Sequence, residues 1–168
     1  MPETLKLTAS ETVTIVESTP ERLTVEGRWG PGGKPPPKHH HPAQAERFTV
    51  LEGELRFKVG DEDRVLSTGE TIEVAVGTDH QVWNPHSEEA RATWITEPAG
   101  RTEEWFRAVD GANREAGEGK SPSLLAFAPL LDEFDDTFRL SGPGPLVNAA
   151  VAGLSAVGRL RGHGRGSA

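Results

Sequence analysis

Between residues 12 and 97 the sequence repeats one local pattern, in which short stretches of alternating polar and apolar residues are separated by turn residues. Thr12 to Val16 and Arg22 to Trp29 open the series, and Ala90 to Glu97 closes it. Turn signals recur about every eight to twelve residues, and no helical periodicity interrupts them. Strands this short are typical of antiparallel architectures. The remaining strands are predicted over residues 46–51, 55–59, 64–66, 71–76 and 80–84, with a hairpin at Gly53.

After Pro98 the apolar residues follow a helical period instead. Thr102 can cap a first helix, with Glu103 and Glu104 in its first turn. A second helix is predicted after Ser121-Pro122, kinked or restarted at Pro129. Their apolar residues are interpreted as packing rather than as a cofactor site: Trp105, Phe106, Val109, Leu124, Phe127, Leu131, Phe134 and Phe138. The predicted fold class is therefore all-β, a double-stranded β-helix or jelly-roll barrel with C-terminal helices packed outside.

The chain of 168 residues is long enough for one hydrophobic core with some additions. We predict a β-barrel over residues 1–100, a helical extension over 101–141, and a linker with a basic C-terminal tail over 142–168. Within that tail, Leu146 to Leu160 is a small-residue helix candidate weakened by Gly153 and Gly158. Docking on the barrel or on a partner subunit is the first interpretation, and binding to a membrane surface is the alternative.

Three histidines and a glutamate are spaced as a single site on strands would require. Side chains alternate faces along a strand, so His39 and His41 point the same way while His40 points the opposite way. A short turn can bring Glu46 back beside the pair at the start of the next strand. His80 follows a Gly-Thr-Asp turn signal at the start of another strand. We expect the paired imidazoles, the carboxylate and the distant imidazole to meet.

Three imidazoles and one carboxylate suit one divalent transition metal, namely iron, manganese, nickel, copper, cobalt or zinc. Four protein ligands on an octahedral ion leave two positions open for substrate. A His-x-His pair alone is also typical of an exposed polar face, so the metal prediction depends on the surrounding pattern. That pattern consists of two blocks, Gly33-x5-His39-x-His41-x4-Glu46-x6-Gly53 and Gly69-x5-Ala75-x-Gly77-x2-His80-x3-Asn84.

These two blocks resemble the two signature motifs of the cupin superfamily, and nine of the ten marked positions agree. The departure is Ala75, where the second cupin motif normally has a proline that shapes a turn and binds nothing. The resemblance covers about Arg22 to Pro98. It implies a cupin barrel with one metal held by His39, His41, His80 and Glu46.

Cupins include dioxygenases, isomerases, epimerases, decarboxylases, lyases, storage proteins and sensor domains, so the fold does not fix the reaction. The leading prediction is a metal-dependent oxidoreductase of dioxygenase type. The alternatives are a metal-dependent isomerase, lyase or decarboxylase, and a non-catalytic small-molecule-binding cupin. Glu46 is the catalytic candidate, as a metal ligand or as a general base. A small apolar or aromatic substrate is expected from the candidate wall residues Phe48, Val50, Phe57, Val82, Trp83 and Trp94.

Composition excludes several classes of function. A net charge of −8 argues against a nucleic-acid surface, and the N-terminus lacks the features of a secretory signal, so a cytoplasmic location is predicted. The absence of tyrosine disfavours the metal-independent sugar epimerases among cupins, which use a histidine-tyrosine pair. Without cysteine there are no disulfides, and the thiol dioxygenases with a cysteine-tyrosine modification are disfavoured. Cupin barrels commonly pair edge to edge, so a homodimer is expected.

Overall fold

Two antiparallel sheets packed face to face form the centre of the molecule. The computed structural model describes residues 3–117, 120–142 and 153–160. The strands are β1 Thr4–Lys6, β2 Glu11–Ser18, β3 Leu23–Trp29, β4 His39–His40, β5 Ala45–Glu52, β6 Glu54–Val59, β7 Glu62–Ser67, β8 Thr71–Val74, β9 His80–Trp83, β10 Ala90–Glu97 and β11 Arg139–Leu140. The six-stranded sheet has the order β1-β2-β3-β10-β5-β8, and the five-stranded sheet has the order β11-β4-β9-β6-β7.

The core forms because each long strand buries every second side chain. In β3 the buried positions are Leu23, Val25, Gly27 and Trp29, the face predicted from the sequence, and β10 alternates in the same way. β10 pairs with both β3 and β5, so it occupies the middle of its sheet. Inner-face side chains of both sheets meet between them. Each fully buried large apolar side chain contributes about 1.5–3 kcal/mol to folding.

Gly53 joins the two sheets instead of forming the predicted hairpin. β5 and β6 flank it, yet they belong to different sheets and do not pair with each other. Its φ of 72° is the left-handed conformation that favours glycine. A β-carbon at this position would lie 2.6 Å from the carbonyl oxygen of Glu89, so the corner brings two backbone segments into close approach.

The helical part makes the fold mainly β rather than all-β. Helix α1 spans Thr102–Ala116 and helix α2 spans Leu124–Glu133, and a third helix, α3, covers residues 153–160. Arg101 precedes α1 without a side-chain cap, so the predicted cap at Thr102 is wrong. Helix α2 begins after Ser123, whose side chain accepts from the N–H of Ala126, and it continues through Pro129.

Helix α1 is held against the barrel by buried polar contacts. Asp110 accepts a hydrogen bond of 2.8 Å from the N–H of Lys6. The Asn113 amide donates to the carbonyl oxygens of Lys6 and Leu7 at 3.2 and 3.1 Å. These contacts satisfy backbone groups at the end of β1, and they place the apolar face of α1 over one end of the barrel.

Helix α3 docks on α2. The two helices approach each other closely at Gly158 of α3, where a β-carbon would be 2.5 Å from the carbonyl oxygen of Leu125 in α2. Ser155 and Arg159 both donate to Asp132, at 3.1 and 2.8 Å. The predicted linker and most of the basic tail lie outside the described residues. Among the described helices, none has the length and hydrophobicity needed to cross a membrane.

The corner at Gly53 yields a test of the fold. Gly53→Ala is expected to lower the free energy of unfolding by about 3 kcal/mol, because it adds a steric clash to the cost of an unfavourable φ. Gly69→Ala is the matched control, since Gly69 has a φ of 88° and nothing within 4 Å of the position that a β-carbon would occupy. The free energy of unfolding of the control, measured by urea denaturation, should fall by only about 1 kcal/mol. Equal losses in the two variants would contradict the close approach at Gly53.

Candidate metal centre

Both sheets contribute to a cluster of three imidazoles and one carboxylate. His39 on β4 pairs in register with His80 on β9, and His41 follows β4 directly. The ring nitrogens of these three histidines lie within 4.8 Å of one another. Glu46 enters from β5 in the other sheet, where it pairs in register with Thr96 on β10. The structure therefore brings together all four of the residues expected from the sequence to meet.

The histidines are oriented by the backbone. In each ring Nδ1 contacts a carbonyl oxygen, at 2.9 Å from His39 to Pro37, 2.6 Å from His41 to Thr137 and 3.0 Å from His80 to Thr78. A carbonyl oxygen only accepts, so each Nδ1 carries the hydrogen and donates it. In the neutral imidazole the lone pair is then on Nε2. Carbonyl groups in this position fix ring orientation at metal sites.

Glu46 is buried behind the imidazoles and held by Trp94. The indole N–H of Trp94 donates to Glu46 Oε1 at 2.9 Å. His41 Nε2 lies 3.2 Å from the same oxygen, and His80 Nε2 lies 2.9 Å from Oε2. Burial by itself raises the pKa of Glu46, but the charges and hydrogen bond of the surrounding histidines outweigh it and bring the pKa to about 2. The carboxylate is therefore ionised at neutral pH.

Lone pairs face lone pairs at this site. When all three rings are neutral with their hydrogens on Nδ1, the buried His41 Nε2 and Glu46 Oε2 have no hydrogen-bond partner among the described residues. Unpaired buried polar atoms cost free energy, so a cation between them is favoured. For His80, burial lowers the pKa, but the hydrogen bond and charge of Glu46 outweigh it and raise the pKa. Without another cation, a proton on His80 partly satisfies the carboxylate.

The pKa of His39 changes in the opposite direction from that of His80, because the charge of Glu46 has only a weak effect on His39. Burial, followed by repulsion from His80 and His41, lowers the pKa of His39 to about 3. His39 is therefore neutral at physiological pH and its Nε2 lone pair is available as a ligand. A neutral imidazole is the form that binds metals.

The donor set fits a divalent transition metal. Two nitrogens bound to one ion at about 2.1 Å lie at most about 4.2 Å apart. One ring nitrogen from each histidine lies within 4.8 Å of the other two, so the three are gathered on one side of the site and need to move closer together to bind one ion. Neutral imidazoles with an ionised carboxylate suit iron, manganese, cobalt, nickel, copper or zinc.

The C-terminal extension completes the surroundings of the histidines, a role that was not predicted from the sequence. Phe138 stacks on the His39 ring with 4.4 Å between centroids and 23° between planes. Trp105 also stacks on Phe138, with 4.7 Å between centroids. The carbonyl that orients His41 belongs to Thr137, immediately before Phe138. Phe138 ends the predicted helical pattern, but no local signal indicates that the chain returns there to the barrel.

Short strand β11 fixes this extension to the barrel. Arg139 and Leu140 pair with His40 and His39 of β4. The N–H of Ser141 donates to the carbonyl oxygen of Lys38 at 2.8 Å. The His40 ring turns toward Ser141, away from the three clustered histidines, His39, His41 and His80, as predicted.

Asp79 also helps to hold the segment around β11 against the barrel. The hydroxyl of Ser141 donates to its carboxylate, and His40 Nδ1 lies 3.3 Å from Asp79 Oδ1. His86 lies elsewhere, 3.6 Å from Glu54. Neither Asp79 nor His86 therefore belongs to the histidine cluster, although both are close in sequence to His80.

The three histidines open onto an apolar chamber of about 150 Å³. Of the wall residues expected from the sequence, Phe48, Val82 and Trp94 line it, whereas Val50 and Phe57 are core and Trp83 faces an outer groove. The helices are therefore more than an outer layer, because the extension supplies much of the wall through Trp105, Phe106, Val109, Phe127, Phe138 and Leu140.

Glu46 does not line this chamber. Its side chain has no exposed surface, and it contacts His41 and His80 from behind. The imidazoles of His41 and His80 line the chamber and Glu46 does not.

Comparison with known proteins agrees with this geometry. Residues 25–96 match the family described as the cupin domain. An oxidoreductase from Arthrobotrys oligospora is 43% identical over 53 residues, which are 30% of this chain and 21% of that protein. This chain therefore matches only about a fifth of the length of that curated relative.

Solved structures share the barrel. KdgF from Halomonas sp. has a TM-score of 0.53 and 19% identity, covering 57% of this chain and 87% of that chain. An RmlC-like cupin from Shewanella frigidimarina has a TM-score of 0.53 and 20% identity, covering 58% and 85%. TT1209 from Thermus thermophilus has a TM-score of 0.51 and 23% identity, covering 55% of this chain and 89% of that chain. Together with the motif and the two facing sheets, the family match means that this chain contains a cupin domain, formed by residues 25–96.

Proposed function

We propose that this protein is a mononuclear metal-dependent oxidoreductase of dioxygenase type acting on a small apolar or aromatic substrate. The observation that carries the proposal is the cluster of His39, His41 and His80, which borders both a buried carboxylate and an apolar chamber. The relative from Arthrobotrys oligospora, named an oxidoreductase, supports the reaction class.

The chain's own residues supply binding and orientation. The histidines and Glu46 would hold the metal, with the carbonyl of Thr137 fixing the ring of His41. A redox-active divalent metal, when bound, supplies electron transfer between an organic substrate and dioxygen. Trp94 holds the carboxylate in place through its N–H while its ring forms part of the chamber wall.

The chamber limits what can approach the histidines. A volume of about 150 Å³ is the size of cavity that binds a single benzene ring. Phe48, Phe106 and Phe138 are among its walls, and aromatic walls bind flat apolar molecules and exclude water. This favours one ring or a short alkyl chain over a hydrated sugar. A homodimer in a cytoplasmic location is part of the same proposal.

Metal binding is tested by replacing one ligand. His41→Ala is expected to lower affinity for divalent metal at least ~100-fold, because it removes a donor from the cluster. His86→Ala is the control, since it removes an imidazole outside the cluster. Elemental analysis of both purified variants, beside thermal unfolding to check folding, measures the effect. A folded His41→Ala protein with the metal content of the control would contradict the assignment.

The pH dependence of metal binding tests the role of Glu46. Because Glu46 raises the pKa of His80, a proton competes with metal in the metal-free protein, and affinity should fall as pH drops, beginning above the ordinary histidine value of 6.5. In Glu46→Gln the burial of His80 acts without the carboxylate, so this decline should begin at lower pH. Zinc titrations against a competing chelator, from about pH 5 to pH 8, measure both curves. Coincident pH profiles would show that Glu46 does not act on His80.

Oxygen consumption tests the reaction class. The iron-loaded protein is expected to consume dioxygen with at least one catechol or small diketone in an oxygen-electrode screen, and His41→Ala should not. Turnover without oxygen uptake, with zinc or manganese as effective as iron, would instead indicate an isomerase, lyase or decarboxylase. Binding without turnover under any metal would indicate a non-catalytic binding protein.

A further inference from the structure

A second carboxyl group, Glu11, lies at the chamber. It begins β2, far in sequence from the metal-binding motifs, and its register partner across the sheet is Trp29. Glu11 is half-buried and lines the chamber, whereas Glu46 does not. Of the described residues that line the chamber, Glu11 is the one with a carboxyl side chain. The acidic group that can face a substrate is therefore Glu11.

Glu11 also borders a second cavity. An outer groove of about 360 Å³ shares part of its wall with the chamber: Thr8, Glu11, Pro36, Pro37 and Val82 line both. The groove continues past Trp29 and Trp83. Glu11 therefore lies in the part of the wall that the chamber and the groove share.

The electrostatics around the Glu11 carboxyl favour contact with a substrate group that is neutral. Burial raises the pKa of Glu11, and repulsion by Glu46 raises it further, while the indole N–H of Trp29 partly opposes them, giving a pKa of about 7. The described ion pairs include none that involves Glu11. Near neutral pH the protonated carboxyl can both donate and accept a hydrogen bond.

Trp29 adds a second polar group beside Glu11. The residue is 3% exposed, and its buried Nε1 acts on the Glu11 carboxyl and lowers its pKa, but the geometry of that contact falls short of a directed hydrogen bond. A buried N–H without a partner costs about 1–3 kcal/mol, so such groups usually have a partner that is a ligand, a water or a protein atom. Trp29 and Glu11 line the same groove.

We propose that Glu11, together with the N–H of Trp29, forms a polar subsite that binds a neutral hydrogen-bonding group of the substrate, such as a hydroxyl or amide. The aromatic ring of the same molecule occupies the chamber beside the histidines. This inference rests on the proposed function for the nature of the chamber and adds the substrate class: a small aromatic molecule with a neutral polar substituent. An anionic substituent is disfavoured at the subsite, because it would lie beside the carboxyl group of Glu11.

A matched pair of probes tests the subsite directly. Benzyl alcohol and toluene differ by one hydroxyl, and their dissociation constants are measured by NMR titration of the full chain in zinc-loaded and metal-free form. The wild type should prefer benzyl alcohol, and Glu11→Leu should reduce that preference about tenfold, the effect of one hydrogen bond. Glu17→Leu, an exposed position on the same strand, is the control and should match the wild type. An unchanged preference in a folded Glu11→Leu protein would overturn the proposal, as would a wild type that binds both probes equally.

The Glu11→Gln variant gives a second test. Its side chain is nearly isosteric with glutamate, so it leaves the shape of the chamber wall almost unchanged, unlike Glu11→Leu. At pH 8 the wild type should bind phenylacetate more weakly than benzyl alcohol, and Glu11→Gln should narrow that difference at least ~threefold, because one negative charge has been removed. An unchanged difference would count against the subsite as firmly as an unchanged preference in the first test.

Elemental analysis separates this test from that of the proposed function. If Glu11→Leu keeps its metal and loses the preference, the subsite is established even without oxygen consumption. If oxygen is consumed but the preference is unaffected by the substitution, the oxidoreductase proposal stands and the subsite is wrong.

Discussion

Imidazole lone pairs and a buried carboxylate face each other at the centre of this protein, and the chemistry of the site follows from that arrangement. Backbone carbonyls hold the hydrogen of each histidine on Nδ1, so His41 and His80 direct Nε2 toward Glu46. The carboxylate cannot donate a hydrogen bond, and neither can Nε2 of a neutral ring with its hydrogen on Nδ1, so the arrangement needs a positive charge between them. A proton on His80 meets part of this need. A divalent metal would meet it at all the donors together.

The C-terminal extension turns this cluster into an enclosed site. The carbonyl of Thr137 orients one imidazole, Phe138 stacks on another, and α1 adds Trp105 to the chamber wall. All of these residues lie outside the segment that matches the cupin family. The barrel therefore supplies the histidines and one part of the chamber wall, whereas the extension supplies the other part, which is apolar.

Local patterns predicted a large part of the fold. Alternation predicted the buried face of β3 and the span of β10, because a half-buried strand exposes every second side chain. The predicted hairpin at Gly53 and the predicted cap at Thr102 were wrong, because both depend on the path of the neighbouring chain. A glycine with positive φ permits a sharp turn without determining which sheet the next strand joins, and a cap depends on where the preceding chain enters the helix.

The meeting of four side chains could be predicted from the order of the residues alone, since strand alternation put His39 and His41 on one face and the motif spacing added Glu46 and His80. That Glu46 lies behind the imidazoles, and that Glu11 lines the chamber, followed only from the folded arrangement of the chain. The difference between the two groups of findings is that the first depends on local sequence and the second on long-range contacts. Periodicity fixes which way a side chain points from its own strand, whereas the group that it meets depends on how two sheets and a distant extension pack together.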